Sequence, residues 1–118
     1  MPDFITSFKE ISESKRCGES ARMKQKYPDR SCIIVDRADN TSAPKIDKHK
    51  FLVPNDITVG QFAYVVRKRI KINPEKAIFI FINNKLPPSS MLMSEVYKEY
   101  HDRDGFVYMV YSGENTFG

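Results

Sequence analysis

Thr58-Val59-Gly60-Gln61-Phe62-Ala63-Tyr64-Val65-Val66-Arg67-Lys68-Arg69-Ile70, followed by Ala77-Ile78-Phe79-Ile80-Phe81-Ile82, decides the fold. Thr58 and Gln61 have the spacing of a capping box, in which each side chain satisfies a backbone donor that a helix start leaves free. Phe62, Val65, Val66 and Ile70 then recur at helical spacing, with Arg67, Lys68 and Lys71 on the other side. Asn73-Pro74 is expected to close this helix. The run from Ala77 to Ile82 is too short for a helix and apolar at every position, so it reads as a strand covered on both faces.

Outward from this pair, the chain alternates strand and helix. Upstream, Cys32-Ile33-Ile34-Val35 and Lys50-Phe51-Leu52-Val53 read as two strands, the second stopped by Pro54. Downstream, Asn83-Asn84 turns the chain, and Leu92, Val96, Tyr97 and Tyr100 mark a short helix. Asp104-Gly105 turns it again into Phe106-Val107-Tyr108-Met109-Val110-Tyr111. Strand, strand, helix, strand, short helix, strand is the order of an α+β, β-grasp arrangement, one helix crossing a four-stranded mixed sheet. Residues 1–29 read as two weak helices. Phe4, Ile5, Phe8 and Ile11 form the stripe of the first, and Cys17, Ala21, Met23 and Tyr27 the sparse face of the second. Helices this short need a surface to cover, and the free face of the third strand is the one expected for them. The organisation is thus an N-terminal extension (1–29), a core (30–111) and a flexible tail (112–118).

At 118 residues the chain has room for one core and little volume for a deep cleft. No G-x-S-x-G, H-E-x-x-H or P-loop occurs. His49 and His101 sit in charged surroundings, and neither adjoins a serine or cysteine in sequence. Cys17 and Cys32 lack metal or redox spacing and read as reduced thiols. These features argue against an enzyme. A net charge of +4 favours acidic partners without selecting one. The basic run Arg67-Lys68-Arg69-Ile70-Lys71 reads as a solvated helix face, and no aromatic stacking platform accompanies it, so nucleic acid is not expected. There is no apolar segment of about 18 residues and no signal-like start, and Pro2 excludes the myristoylation signal. The expected location is cytoplasmic.

Two stretches carry chemistry. Lys48, Lys50 and Pro54 give strand two the character of a sheet edge. Alternation puts Lys50, Leu52 and Pro54 on one face and Phe51 and Val53 on the other, so an added peptide strand would send alternate anchors to two sides. An ordinary edge packed on the core fits the same pattern. The tail ends in Gly118, whose missing Cβ suits a narrow enzyme channel.

Lys50-Phe51-Leu52-Val53-Pro54, Thr58-Val59-Gly60-Gln61-Phe62, Pro74-Glu75-Lys76-Ala77-Ile78-Phe79-Ile80-Phe81, Asp104-Gly105-Phe106-Val107-Tyr108 and Tyr111-Ser112-Gly113-Glu114-Asn115-Thr116-Phe117-Gly118 together closely resemble the autophagy ubiquitin-like modifiers, the family that includes the GABA-receptor-associated proteins. The resemblance runs in register from about Pro44 to Gly118 and more loosely from Phe8. It implies a ubiquitin-like core carrying two N-terminal helices. It implies that Gly118 is activated by an E1-like enzyme, passed to E2-like enzymes and amide-linked to phosphatidylethanolamine. That covalent lipid would be the membrane anchor, with no other cofactor. A deconjugating cysteine protease is a further implied partner. Recruitment to autophagosomal membranes would follow lipidation. Cargo receptors and adaptors would dock acidic aromatic-x-x-aliphatic motifs on strand two. By position, the aromatic pocket falls to Glu19, Met23, Cys32, Ile34, Lys50, Leu52 and Phe106. The aliphatic pocket falls to Phe51, Val53, Pro54, Ile57, Phe62 and Val65, and the basic contacts to Arg30, Lys48 and Arg69. Cys32 replaces the family's usual proline, while Met23 and Phe51 replace a branched aliphatic and a tyrosine; a looser aromatic pocket is expected. Many members are made with a removable extension after the glycine, so Gly118 is either the encoded end or a processed one. The alternative is a non-conjugated β-grasp adaptor that binds peptides or tubulin-like acidic surfaces.

Overall fold

A computed structural model describes residues 2–115. Two helices, α1 (Asp3–Lys9) and α2 (Glu13–Lys26), precede strands β1 (Arg30–Arg37) and β2 (Lys50–Pro54). Helix α3 (Val59–Ile70), strand β3 (Phe79–Phe81), helix α4 (Met93–Tyr100) and strand β4 (Val107–Ser112) follow. The sheet order is β2-β1-β4-β3. β1 and β4 run parallel at the centre, and β2 and β3 pair antiparallel at the edges. The β-grasp reading holds.

Helix α3 starts as its sequence dictates. Thr58 Oγ1 accepts from Gln61 N at 3.1 Å, and Gln61 Oε1 accepts from Thr58 N at 2.8 Å. The helix ends earlier than Asn73-Pro74 would have it. Lys71 adopts a left-handed conformation (φ 55°) and turns the chain out after Ile70. The buried stripe is Val59, Phe62, Val66 and Ile70, while Val65 is 42% exposed. In α4 the core positions are Met93 and Val96; Leu92 caps the helix start and is exposed. Asn83 and Asn84 both have positive φ, as a tight two-residue hairpin turn requires, and Ile82 and Lys85 pair across them.

The expectation for strand three needs correcting. β3 is a three-residue edge strand, and the N-terminal helices pack chiefly on β1 instead. The strand buried on both faces is β1. Its Ile33 and Val35 enter the larger core with Phe62, Val66, Met93, Met109 and Tyr111. Its Cys32 and Ile34 enter a smaller cluster with Ile5, Phe8 and Phe106. The helices are drawn there by polar bolts as well as apolar burial. Asp36 at the far end of β1 is 5% exposed, and its Oδ2 accepts from Ile5 N at 3.0 Å in the first turn of α1. Asp104, fully buried, takes Arg16 of α2 at 2.6 Å and Phe106 N at 2.9 Å, with Tyr108 OH as a third donor. That pairing raises the Arg16 pKa above its ordinary value. The Tyr108 hydroxyl, raised mainly by burial and further by Asp104, stays a donor. Gly105 (φ 86°) lets the loop meet Ser20, whose Oγ donates to Asp104 O at 2.6 Å; a Cβ at Gly105 would collide with that hydroxyl. Ile11, assigned to the first helix by its spacing, lies beyond α1 and is 42% exposed.

The tail boundary also moves. Ser112 is the last residue of β4, and Gly113 and Glu114 are hydrogen-bonded to the loop between β1 and β2. A flexible segment beginning at 112 is therefore not what the chain builds. Gly118 lies outside the described residues.

Candidate peptide-docking site

β2 is the outer strand on its side of the sheet, and its register fixes what it offers. Val35 N donates to His49 O at 2.8 Å, and Ile33 and Phe51 are partners in the same ladder. Backbone groups alternate direction along an antiparallel strand. Those of Lys50 and Leu52 therefore face away from β1, toward an added strand. Arg30 reaches one of them, its Nη1 lying 3.4 Å from Leu52 O.

On the face shared with the smaller cluster, a depression of about 350 Å³ opens between α2 and β2. Glu19 and Met23 come from α2, Cys32 from β1, Lys50 and Leu52 from β2, and Phe106 from the turn before β4. Six of the seven residues assigned by resemblance to an aromatic pocket thus line one hollow. Ile34, the seventh, does not: it is fully buried and packs beneath the pocket in the smaller cluster. Arg30, Lys48 and Phe51, assigned to other roles, also line it. The signal for Lys48 was present in the sequence, since it stands two residues from Lys50 and so shares its face. Phe8 was not foreseen. Its ring is buried behind the pocket, 4.9 Å from Lys50 Nζ.

The lining carries three cations (Arg30, Lys48, Lys50) against one carboxylate, Glu19. Lys50 Nζ and Glu19 Oε2 pair at 2.9 Å, both partly exposed. Burial pushes the Cys32 thiol pKa up, so the wall it forms is neutral and apolar. The arrangement suits a flat apolar or aromatic group with negative charge beside it.

The second set lies across β2. Phe51, Val53 and Phe62 belong to the larger core, with Phe51 and Phe62 edge to face at 5.5 Å. Pro54 and Ile57 are half-buried, and Val65, on α3, is exposed. Lys48 Nζ stands 4.9 Å from the Phe51 ring, at the divide between the two sides. Arg69, grouped with Arg30 and Lys48 by resemblance, is not in the depression. It pairs with Asp47 at 2.9 Å, an exposed bridge that adds little stability.

Elsewhere the geometry offers little chemistry. Among the described residues no group of His, Cys, Asp and Glu is placed to hold a metal ion. His49 stacks on Phe4 at 4.1 Å, and His101 stacks on Tyr97. Cys17 Sγ lies 3.5 Å from Arg103 O. No helix among the described residues is long and apolar enough to cross a membrane.

A β-grasp sheet crossed by one helix, with two helices on the far face and an edge strand beside an apolar-walled depression, defines a ubiquitin-like protein. The family described as "Autophagy protein Atg8 ubiquitin like" matches residues 15–118. Autophagy-related protein 8A of Oryza sativa subsp. indica is 62% identical over 114 residues, 96% of each chain. Autophagy-related protein 8d of Arabidopsis thaliana is 61% identical over 115 residues, 97% of this chain and 96% of that one. Among solved structures, Trypanosoma brucei ATG8 superposes with a TM-score of 0.86 at 43% identity, covering 94% of this chain and 97% of its own. Plasmodium falciparum Atg8, solved with a Plasmodium falciparum Atg3 peptide, gives 0.81 at 35% identity, covering 89% and 93%. This chain belongs to the Atg8 family of autophagy ubiquitin-like modifiers.

Proposed function

We propose that the chain is conjugated through Gly118 to phosphatidylethanolamine on autophagic membranes and there docks receptors and adaptors along β2. It acts as a modifier and catalyses nothing itself. An E1-like enzyme uses ATP to activate the Gly118 carboxyl, and thiols of the E1-like and E2-like enzymes carry it. The lipid amine attacks the final thioester, an amide forms and the thiol leaves. A cysteine protease reverses the bond. A lipid with two acyl chains supplies stable anchoring that a single chain does not, which suits a protein located in the cytoplasm until it is lipidated. The family match extending through residue 118 supports this half of the reading. A non-conjugated adaptor would leave that part of the match unexplained.

The observation that carries the docking half is the edge of β2, where the outward backbone groups of Lys50 and Leu52 run beside the basic, apolar-walled depression. A short peptide adds a strand there. Its aromatic residue enters between Met23, Cys32, Leu52 and Phe106, its aliphatic residue falls toward Ile57, Val65 and Phe62, and acidic flanks meet Arg30, Lys48 and Lys50. The relative solved with an Atg3 peptide supports peptide docking, and an E2-like enzyme is one partner we assign to this chain.

The test is the intact mass after incubation with the E1-like and E2-like enzymes, ATP and phosphatidylethanolamine liposomes. The expected result is a gain of one lipid, mapped to Gly118. No gain, with enzymes active on another family member, would overturn the conjugation half and leave peptide docking alone.

A further inference from the structure

β4 does not hand over to a loose end. Gly113 N donates to Thr41 Oγ1 at 2.8 Å, and Ser42 Oγ donates to Glu114 Oε2 at 2.6 Å. Ser42 N reaches Glu114 Oε1 at 3.4 Å. Glu114 N in turn donates to Ser112 Oγ at 3.1 Å. The bonded residues of loop and tail base are 72 apart in sequence, so no local turn accounts for the contact. The backbones also approach closely: a Cβ on Gly113 would stand 3.0 Å from Ser42 Oγ and 3.5 Å from Ala43 N. The loop is a fixed post, not a floating one. Ala43 is 2% exposed in the larger core, Arg37 Nη1 donates to Ala43 O at 3.1 Å, and Tyr111 OH donates to Pro44 O at 2.6 Å. These tie the post to β1 through Arg37 and, through Tyr111, to β4, the strand whose end it holds.

We propose that Thr41, Ser42 and Glu114 are positioning residues for conjugation, latching the base of the tail to the β1–β2 loop so that Gly118 is presented from a fixed point and direction. The inference rests on the reading that Gly118 is the conjugated residue. With the latch closed, four residues remain beyond Glu114, a reach of at most about 14 Å. With it open, six residues swing from the end of β4, and the tail must lose more freedom on entering an enzyme channel. Holding a segment beforehand in its bound direction reduces that ordering cost. The latch touches neither ATP nor the attacked carbonyl, so its loss falls on KM and leaves kcat in place.

The experiment measures KM and kcat for thioester formation by the E1-like enzyme on the full chain, for wild type, Ser42→Ala, Glu114→Gln and Ser42→Glu, alongside amide hydrogen exchange at Gly113 and Val66. The expected result is a KM raised about three- to tenfold by Ser42→Ala and by Glu114→Gln. Ser42→Glu, which sets two carboxylates face to face, raises it at least as much. kcat stays within about twofold. Gly113 exchange accelerates while Val66, in the core, keeps its protection. An unchanged or lowered KM with Gly113 deprotected would overturn the inference, as would a Gly113 amide unprotected in the wild type. Deleting Gly118 separates the two readings. If wild type is charged and the deletion is not, conjugation stands, and the KM values alone judge the latch. If wild type is not charged by enzymes active on another family member, the conjugation reading falls and takes this inference with it.

Discussion

Beneath α3, β1 contributes Ile33 and Val35 to a core sealed by Phe62, Val66, Met93, Val96 and Tyr111. On its other face, among the described residues, Cys32 and Ile34 are joined by buried Ile5, Phe8 and Phe106, with Phe4, Met23, Leu52, Tyr108 and Val110 half-covered. The same strand thus serves two apolar clusters of different kinds. The first is closed by a capped amphipathic helix whose apolar stripe matches the sheet. The second is roofed by α1 and α2, held by charged groups, Asp36 under α1 and Asp104 against α2. A roof fastened at points does not fill every gap, and the gap left beside β2 is the depression of about 350 Å³ proposed to dock peptides. The first face is sealed, and the second leaves a hollow at the surface.

The contrast is tested hardest by Phe62→Ala. It should lower the free energy of unfolding by about 3–5 kcal/mol in a urea titration. An effect under about 1 kcal/mol would mean the two clusters share the load. Asp104→Asn attacks the roof. With Arg16 left facing a neutral group, the expected loss is roughly 3 kcal/mol, accompanied by faster amide exchange in α2 than in α3. Equal acceleration in both helices would show that the bolt supports the whole sheet. Leu52→Ala removes one wall of the depression. Affinity for an acidic aromatic-x-x-aliphatic peptide, measured by calorimetry, should fall by about 1–3 kcal/mol while the urea midpoint hardly moves. Unchanged affinity would place docking elsewhere.

The smallest effect concerns the tail latch. Hydrogen bonds from Ser42 and Thr41 hold the Glu114 carboxyl below the ordinary glutamate value of 4.5. A group whose pKa is lowered by folding contributes stability that is present above its unfolded value and lost as pH falls through the folded value. The Gly113 and Ser42 amide resonances should therefore keep their positions down to pH 4.5 and shift with a midpoint below it. A midpoint at or above 4.5 would show an open latch.

Local signals are legible in the sequence. The capping box of Thr58 and Gln61, the Asn83-Asn84 and Asp104-Gly105 turns and the opposite facing of Leu52 and Phe51 each depend on residues a few positions apart. What depends on a neighbour in space is not. The all-apolar run at 77–82 suggested a strand sandwiched by the N-terminal helices, yet β3 sits at the edge and β1, with its plainer Cys32-Ile33-Ile34-Val35, is the sandwiched one. Strand order depends on which strands pair, and periodicity within a strand does not encode that. The site divides the same way. Which β2 residues share a face followed from the two-residue repeat, and membership in the family followed from several motifs in order. That Glu19 and Met23 line the hollow was an inference from resemblance, and the placement of Ile34 beneath it had to be seen. By itself, then, the sequence determined the elements, their caps and turns, and the family. Only the tertiary structure decided which face stays open and where the tail is held, because those depend on contacts such as Arg16 with Asp104 and Ser42 with Glu114, between residues 88 and 72 positions apart.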